Sequence, residues 1–478
     1  MIIPPGGYNA VGPPQNPQDW LAYLYGRLPG PGDQIHQYIK YYDGDQQKFA
    51  FSQAKYKSAF RGVFETWRDN FCGTILDSTN ERLHVEGFRL PGTGTDQDAR
   101  EFWQRSSMDS FSSAVHLDAL ITGKSFVLVW ADKKGEPIIT PVSSQEMVVQ
   151  YKPGSLTELE AAARFYMDSW GRQMVTLWTE EYVYEVPFGK TEWESGTKRP
   201  NPLNVVPVVP FYNRARLGGA PMSDLQNVIP IQDAINKTLM DALTTSEAAA
   251  FPLRTVTGLE IQLDDAGNPI QPFDSGADKI LQAEDPQAKF GTLEAADLGN
   301  YAILIGVLLQ HLGAISRTPP HYFLVNGGSA PSGESILGAE AGLVAKVKER
   351  MLHFGECWER VIRLCFAVKN DDRRNAFDME TQWRDPEYRT EAQHIDALLK
   401  MKQLNVPEEF LWAEAGFTAT QIAMFREMRK QDAKAEAAIQ RILPQPQAGL
   451  NPAAAKTPAD KPPPSNSGNA NRKINERK

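Results

Sequence analysis

Cysteine is nearly absent. Cys72, Cys357 and Cys365 are scattered through 478 residues with no CxxC pair. Neither a disulfide framework nor a cysteine zinc site can organise such a chain, and a reducing compartment fits it. Histidine is equally sparse. His36, His84, His116, His311, His321, His353 and His394 form no HExxH and no close pair, so each reads as a packing or surface residue. No metal or cofactor is expected. A G-x-S-x-G elbow is also missing. Long hydrophobic runs are lacking too. The most apolar stretch, Tyr301 to Leu309, is too short to cross a bilayer. Extended to Ile315 it gains the length but takes in Gln310 and His311, and it reads as a helix buried between protein neighbours. No membrane partner is expected. Positive charge is in deficit as well: 50 Lys and Arg face 59 Asp and Glu, a net charge of −9. A module that grips duplex DNA would be basic. The opening MIIPPGGYNAVGPPQ has no charged n-region and is broken by prolines, so it does not read as a signal peptide.

What is present is ordinary soluble composition, with 41% hydrophobic and 23% charged residues. The length allows about three average domains. Residues 1–33, rich in Pro and Gly, read as a flexible arm. Gln34 to Asn70 reads as helical with an interruption at Tyr41-Tyr42-Asp43-Gly44-Asp45, and Phe64, Trp67, Phe71, Ile75 and Leu76 continue a helical stripe into Arg82. Leu83 to Phe88 alternates like a strand, and Asp98 to Ile121 reads as one helix stopped by Gly123. A β-rich block follows: SFVLVWAD, EPIITPVS, EMVVQYKP, ELEAAARFYMD, QMVTLWTEEYVYEV and VVPVVPFYN. Phe377 to Trp383 is one further strand. After Asp385-Pro386 come helices at Glu387 to Gln403, at Pro407 to Ala415, and from the Thr418-x-x-Gln421 capping box toward Leu443. Residues 444–478 lack apolar periodicity and read as a disordered tail.

The organising stretch is Pro221 to Lys369. Pro230 suits a helix first turn, and Ile231, Ala234, Ile235, Thr238 and Ala242 follow at helical spacing. Phe251-Pro252 ends that helix. A hairpin-like insert has its turn at Asp264 to Asn268. An apolar helix from about Leu293 to Ser316 stops at Pro319-Pro320. A glycine-rich loop leads into a helix from about Ser332 to Lys369, roughly 50 Å long. Leu343, Val347, Met351, Phe354, Trp358, Ile362 and Cys365 form its apolar side. Lys346, Lys348, Glu349, Arg350, Glu356, Glu359, Arg360 and Arg363 read as a solvated mixed face.

One motif imitates enzyme chemistry. Gly328 to Ser335 is G-x-x-x-x-G-x-S, set before a helix like a phosphate-binding loop. Glu334 stands where the lysine belongs and would repel phosphate, and Pro331 removes a backbone donor. A nucleotide hydrolase using this loop is therefore the weaker reading. A capsid-assembly scaffold without a channel is another alternative. The pairs Asp264-Asp265, Asp371-Asp372 and Glu408-Glu409 read as solvated turns and helix starts.

The succession GKSFVLVWAD, NPLNVVPVVPFYNR, SDLQNVIPIQDAINKTLMDAL, HLGAISRTPPHYF, SGESILGAEAGLVAKVKERMLHFGECWERVIRL and FLWAEAGFTATQI resembles the portal proteins of long-tailed bacteriophages, from about Gln34 to Leu443. The resemblance implies a mainly helical α+β portal fold assembling as a ring, usually of twelve subunits. Residues 34–222 would be the wing, 223–250 and 293–316 two stem helices, and 251–292 the clip. Residues 317–333 would be a tunnel loop, 334–385 the long helix with a wing return strand, and 386–443 a crown. Tyr322, Asn326, Gly327, Gly328, Ser329 and Ser332 would face the channel. Arg254, Asp264, Asp265 and Asn268 would form the clip docking surface. The implied partners are the terminase large subunit, major capsid and scaffold proteins, a head–tail adaptor, and double-stranded DNA passing without sequence specificity. The implied place is a virion vertex after assembly in the host cytoplasm, with no enzyme activity.

Overall fold

The computed structural model describes residues 12–45, 69–90, 95–187, 197–250, 254–258, 263–268, 286–292, 297–323, 333–387, 391–417 and 419–442. It divides into two compact units, Met1–Tyr388 and Arg389–Lys478. It is a mixed helix and sheet structure.

The segment expected to be a flexible arm contains a docked helix, Pro17–Tyr25. Pro17 sits in its first turn and the Asn16 side chain accepts from the Asp19 N–H at 2.9 Å, a proper cap. Leu21 and Leu24 bury against Val148, Ala163, Val175 and Leu177. Burial of that stripe anchors residues that composition alone marks as arm. The first helix of the 34–70 stretch is Gln34–Tyr42 and ends at the expected interruption, with Asp43 as its C-cap; residues 46–68 lie outside the described residues. Phe71–Asn80 is helical and leads into β1 (Val85–Arg89).

The single helix expected at 98–121 is two, Gln97–Arg105 and Met108–Thr122. Ser107 between them takes φ 54°, a left-handed conformation costly for a residue with a Cβ. Tertiary bonds hold the break: Ser106 Oγ accepts from the Ile139 N–H at 3.0 Å, and Trp103 Nε1 donates to Asp109 at 2.9 Å. At Gly123 φ is 90°, and a Cβ would lie 3.1 Å from the Pro221 carbonyl oxygen. Glycine is needed there for both reasons.

The β-rich block then runs as β2 (Lys124–Ala131), β3 (Pro137–Val142), β4 (Met147–Tyr151), β5 (Leu159–Met167), β6 (Gln173–Thr179), β7 (Tyr182–Pro187), β8 (Thr197–Pro200) and β9 (Val208–Tyr212). The QMVTLWTEEYVYEV run is two strands, β6 and β7, because Thr179 Oγ1 both accepts from the Tyr182 N–H and donates to its carbonyl, closing a turn. Two antiparallel sheets result, ordered β3-β2-β9 and β4-β5-β6-β7-β8. Helix Ile229–Ala250, β10 (Arg254–Thr257), β11 (Lys289–Thr292), helix Gly299–Ser316 and the long helix Gly333–Val368 follow. β12 (Glu380–Trp383) returns to pair antiparallel with β1, setting Thr381 opposite Phe88.

The core of this unit centres on the long helix. Trp358 is wholly buried against Trp103 at 4.9 Å and Phe211 at 4.6 Å between ring centres. Its indole N–H donates to His116 Nε2 at 2.8 Å, and the His116 ring stacks on Phe354. Burial holds His116 down at about 3, so it is the neutral acceptor the indole needs. The expectation that this histidine packs rather than ligates agrees with that setting.

The second unit holds helices Glu391–Gln403, Glu408–Glu414 and Ala419–Ile442. Phe425 packs edge-on to Trp412 and Phe417, and Arg426 makes a two-pronged ion pair with Glu409 at 2.7 Å. Because Trp358 fills the core and satisfies a buried nitrogen, Trp358→Ala is expected to destabilise the chain by about 3–5 kcal/mol. Urea denaturation followed by circular dichroism checks this.

Candidate functional site

The helices Ile229–Ala250 and Gly299–Ser316 pack side by side, with Thr245 Oγ1 and the Tyr301 hydroxyl 3.2 Å apart. The first is tied to the sheet-bearing body at its N-terminal half. Tyr41 donates to Asp233 at 2.7 Å, and Gln232 accepts from the Phe71 N–H and donates to the Asp69 carbonyl, both at 2.9 Å. The second is 18 residues long and apolar enough in composition for a membrane span, yet 22% buried. Leu309, Leu312, Gly313 and Ser316 are its buried side. At 100° per residue, Ile303, Leu304, Val307 and Ile315 lie on the opposite arc. Their exposures are 68%, 48%, 42% and 50%. Four large apolar side chains thus lie exposed on one side of this helix, with His311 among them.

Between the two helices, the insert is closed at its base. β10 and β11 pair antiparallel, placing Arg254 opposite Thr292. The partner of the 254–257 strand is thus at the far end of the insert. The expected turn is present: Asp264 Oδ1 accepts from the Ala266 and Asn268 N–H groups at 3.0 and 2.7 Å, and Gly267 takes φ 81°. The bonds donated by Asn268 hold the Asp264 carboxyl below the usual carboxylate range. Asp264, Asp265 and Asn268 are exposed together on this turn, while Arg254 belongs to the strand pair.

After Ser316 the chain makes a short 3-10 turn, Pro320–Phe323. Tyr322 stands at this root and is anchored, its hydroxyl accepting from Arg82 Nη2 at 2.9 Å. Asn326, Gly327, Gly328, Ser329 and Ser332 lie outside the described residues. Gly333, Glu334 and Ser335 already belong to the long helix. Arg82 also pairs with Glu340 of that helix at 3.2 Å and donates to the Pro386 carbonyl at 3.1 Å. One guanidinium therefore fixes the loop root, the long helix and the segment that follows β12.

A second charge cluster corrects the expectation of a solvated mixed face. Lys348, Glu349 and Glu356 are exposed, and Glu359, Arg360 and Arg363 are half-buried. Lys346 and Arg350 are buried. Asp224 is their counter-ion, 3.0 Å from Lys346 Nζ and 3.3 Å from Arg350 Nη2. Asn213 also donates to Asp224, at 3.0 Å, and Lys346 donates to the Ser316 carbonyl at 3.3 Å. Burial alone would raise the Asp224 carboxyl, but Lys346 and Arg350 outweigh it and hold it at about 2. The cluster joins the end of β9, the approach to the first helix, the end of the second and the middle of the long helix. A signal for it does exist: Glu340 and Arg350 share the helical period of Leu343, Val347, Phe354 and Trp358, where a solvated charge has no place. Among the described residues no group of acidic, histidine and cysteine side chains could hold a metal.

Two side-by-side helices, one with an apolar arc left exposed among the described residues, are thus rooted in the body by buried ion pairs. The sequence matches the family described as "Phage portal protein, SPP1 Gp6-like" over residues 33–438. Two relatives named "Portal protein", from Mycobacterium phage L5 and Mycobacterium phage D29, are 30% and 29% identical over 386 residues, 75% of this chain and 77% of each relative. Among solved structures, a chain from the neck of an empty gene transfer agent particle aligns at 11% identity and TM-score 0.47, covering 82% of this chain and 96% of that one. The chain belongs to the phage portal protein family and is a portal protein of a tailed phage.

Asp224→Asn would leave buried Lys346 without its counter-ion and Arg350 with only the half-exposed Glu349 at 3.3 Å, and is expected to cost about 3–5 kcal/mol. The pH dependence has a definite sign. The folded carboxyl sits at about 2, below its usual 3.8. The stabilisation is fully present above pH ~5 and lost as pH falls toward about 2. Denaturant midpoints measured from pH 7 to pH 3 should fall in the parent chain and change less in the Asp224→Asn variant.

Proposed function

We propose that copies of this chain close into a ring, usually of twelve, around an axial channel for double-stranded DNA. DNA would be driven inward by a terminase motor and released later through a head–tail adaptor. The observation that carries this reading is the exposed arc of Ile303, Leu304, Val307 and Ile315. A neighbouring copy of the same helix pair would cover it, as a cyclic assembly requires. In this reading residues 223–250 and 293–316 are stem, 251–292 clip, 317–333 tunnel loop and 386–443 crown. Residues 34–222 and the strand at 380–383 form the wing, to which the helix at 17–25 belongs. The net charge of −9 suits a conduit that must not hold phosphates. The exposed Asp264–Asn268 turn, braced by bonds to the Asp264 carboxylate, would offer a stiff surface to the motor and adaptor. Portal proteins being structural parts of the virion, no catalytic role is assigned.

Sedimentation velocity tests the ring. The parent chain is expected to run as one large closed species. Ile303→Glu with Val307→Glu is expected to run as a monomer with an unchanged thermal midpoint, because both side chains are exposed within the chain. Deleting residues 329–332 is expected to leave assembly intact and to reduce filled heads by at least about tenfold, since the loop would steady the passing backbone. Counting full and empty heads by electron microscopy checks this, and normal filling would refute the loop assignment.

A further inference from the structure

A cleft of about 1440 Å³ opens between the C-terminal half of the long helix and the connection from β8 to β9. Its two kinds of surface differ sharply. Trp130, Leu203, Val205 and Leu364 supply an apolar floor, and Lys133, Arg360, Arg363 and Arg374 supply cations. The cleft's other cations are already engaged: Lys152 pairs with Glu158 and Glu180, and Arg199 with Glu185. Among the described residues Lys133, Arg360, Arg363 and Arg374 make no close ion pair, and Glu359 and Glu356 act on Arg363 only from beyond ion-pair distance. Arg360 donates to the Thr157 carbonyl, Arg374 to the Asn370 side chain at 3.2 Å, and Arg363 lies 5.3 Å from the Phe377 ring centre. The nearby acids Asp132 and Glu359 are also engaged by backbone N–H groups. Asp132 accepts from the Lys134 and Glu136 N–H groups, and Glu359 accepts from the Thr381 N–H. Arg363 is half-buried, and that burial holds its guanidinium below its usual value. Elsewhere on the same helix, the buried cations Lys346 and Arg350 do have a carboxylate.

We propose that this cleft docks an acidic segment of another protein, its carboxylates on Arg363, Arg374, Arg360 and Lys133 and its apolar side chains on the floor. Charge complementarity selects the carboxylates, since a guanidinium half removed from water gains most from a charge-assisted bond. The floor selects against a nucleic-acid backbone, which would satisfy the cations and leave Leu203, Val205 and Leu364 facing phosphate. It equally selects against a purely apolar helix, which would bury four cations unpaired.

Fluorescence anisotropy on the full-length protein tests this. The probe is a labelled peptide of about twelve residues alternating Glu or Asp with Leu or Trp. Saturable micromolar binding is expected, weakened at least about tenfold in Arg363→Glu with Arg374→Glu. Lys133→Glu with Arg374→Glu changes two exposed side chains and guards against misfolding; it is expected to weaken binding similarly at an unchanged thermal midpoint. Val205→Asp should also weaken it by removing floor. The proposal is overturned if the peptide shows no saturable binding up to about 1 mM. It is equally overturned if the charge reversals leave binding unchanged. It also fails if a single-stranded oligonucleotide of equal charge displaces the peptide from the parent protein more strongly than unlabelled peptide does.

Discussion

The carboxylate of Asp224 is the point on which the first unit depends. It is buried with two cations of the long helix around it, and it lies beside the end of β9 and ahead of the helix Ile229–Ala250. Lys346, in the same cluster, reaches the last carbonyl of Gly299–Ser316. Buried charge tolerates little displacement, because the desolvation already incurred is recovered only at short range. The two side-by-side helices are therefore held at one end by an interaction that fixes position as much as it adds stability. A helix pair gripped this way can present an apolar arc to a neighbour at a defined angle.

A second fixed point lies one step along the chain. Arg82, paired with Glu340 and bonded to Tyr322 and the Pro386 carbonyl, joins the loop root to the same long helix. The long helix thus takes charge contacts from Asp224 and the end of Gly299–Ser316 at Lys346 and Arg350, and from Arg82 at Glu340, about two turns apart. Its far half packs Phe354, Trp358 and Phe366 into the aromatic core. The loop root also meets the body directly, Tyr322 at Arg82 and Phe323 edge-on to Phe71.

Much of this was legible in the sequence because it is local. The alternation in SFVLVWAD, the stripe from Leu343 to Cys365 and the Asp264–Asn268 turn each specify their structure within a few residues. What was not legible depends on distant partners. The helix at 17–25 is stable because Leu21 and Leu24 meet β4, β5 and β6, more than 120 residues away. Ser107 breaks a helix because Ser106 is bonded to β3. Lys346 and Arg350 read as surface charge until Asp224 appears beside them. Glu340 and Arg350, lying on the apolar period, were the available warning. Of the expected channel and docking residues, Tyr322 is a bonded anchor and Asp264, Asp265 and Asn268 share one exposed turn, while the remaining loop positions lie outside the described residues.

In the proposed ring, the exposed arc of Gly299–Ser316 is covered by a neighbouring copy around a channel. The most direct measurement is electron cryo-microscopy of the purified full-length protein viewed down its symmetry axis. The account predicts a closed ring whose innermost wall is formed by residues 229–250 and 299–316 of every copy, with Ile303 and Val307 at the contact between copies. A stable monomer at high concentration would contradict it, as would a ring in which that helix faces open solvent.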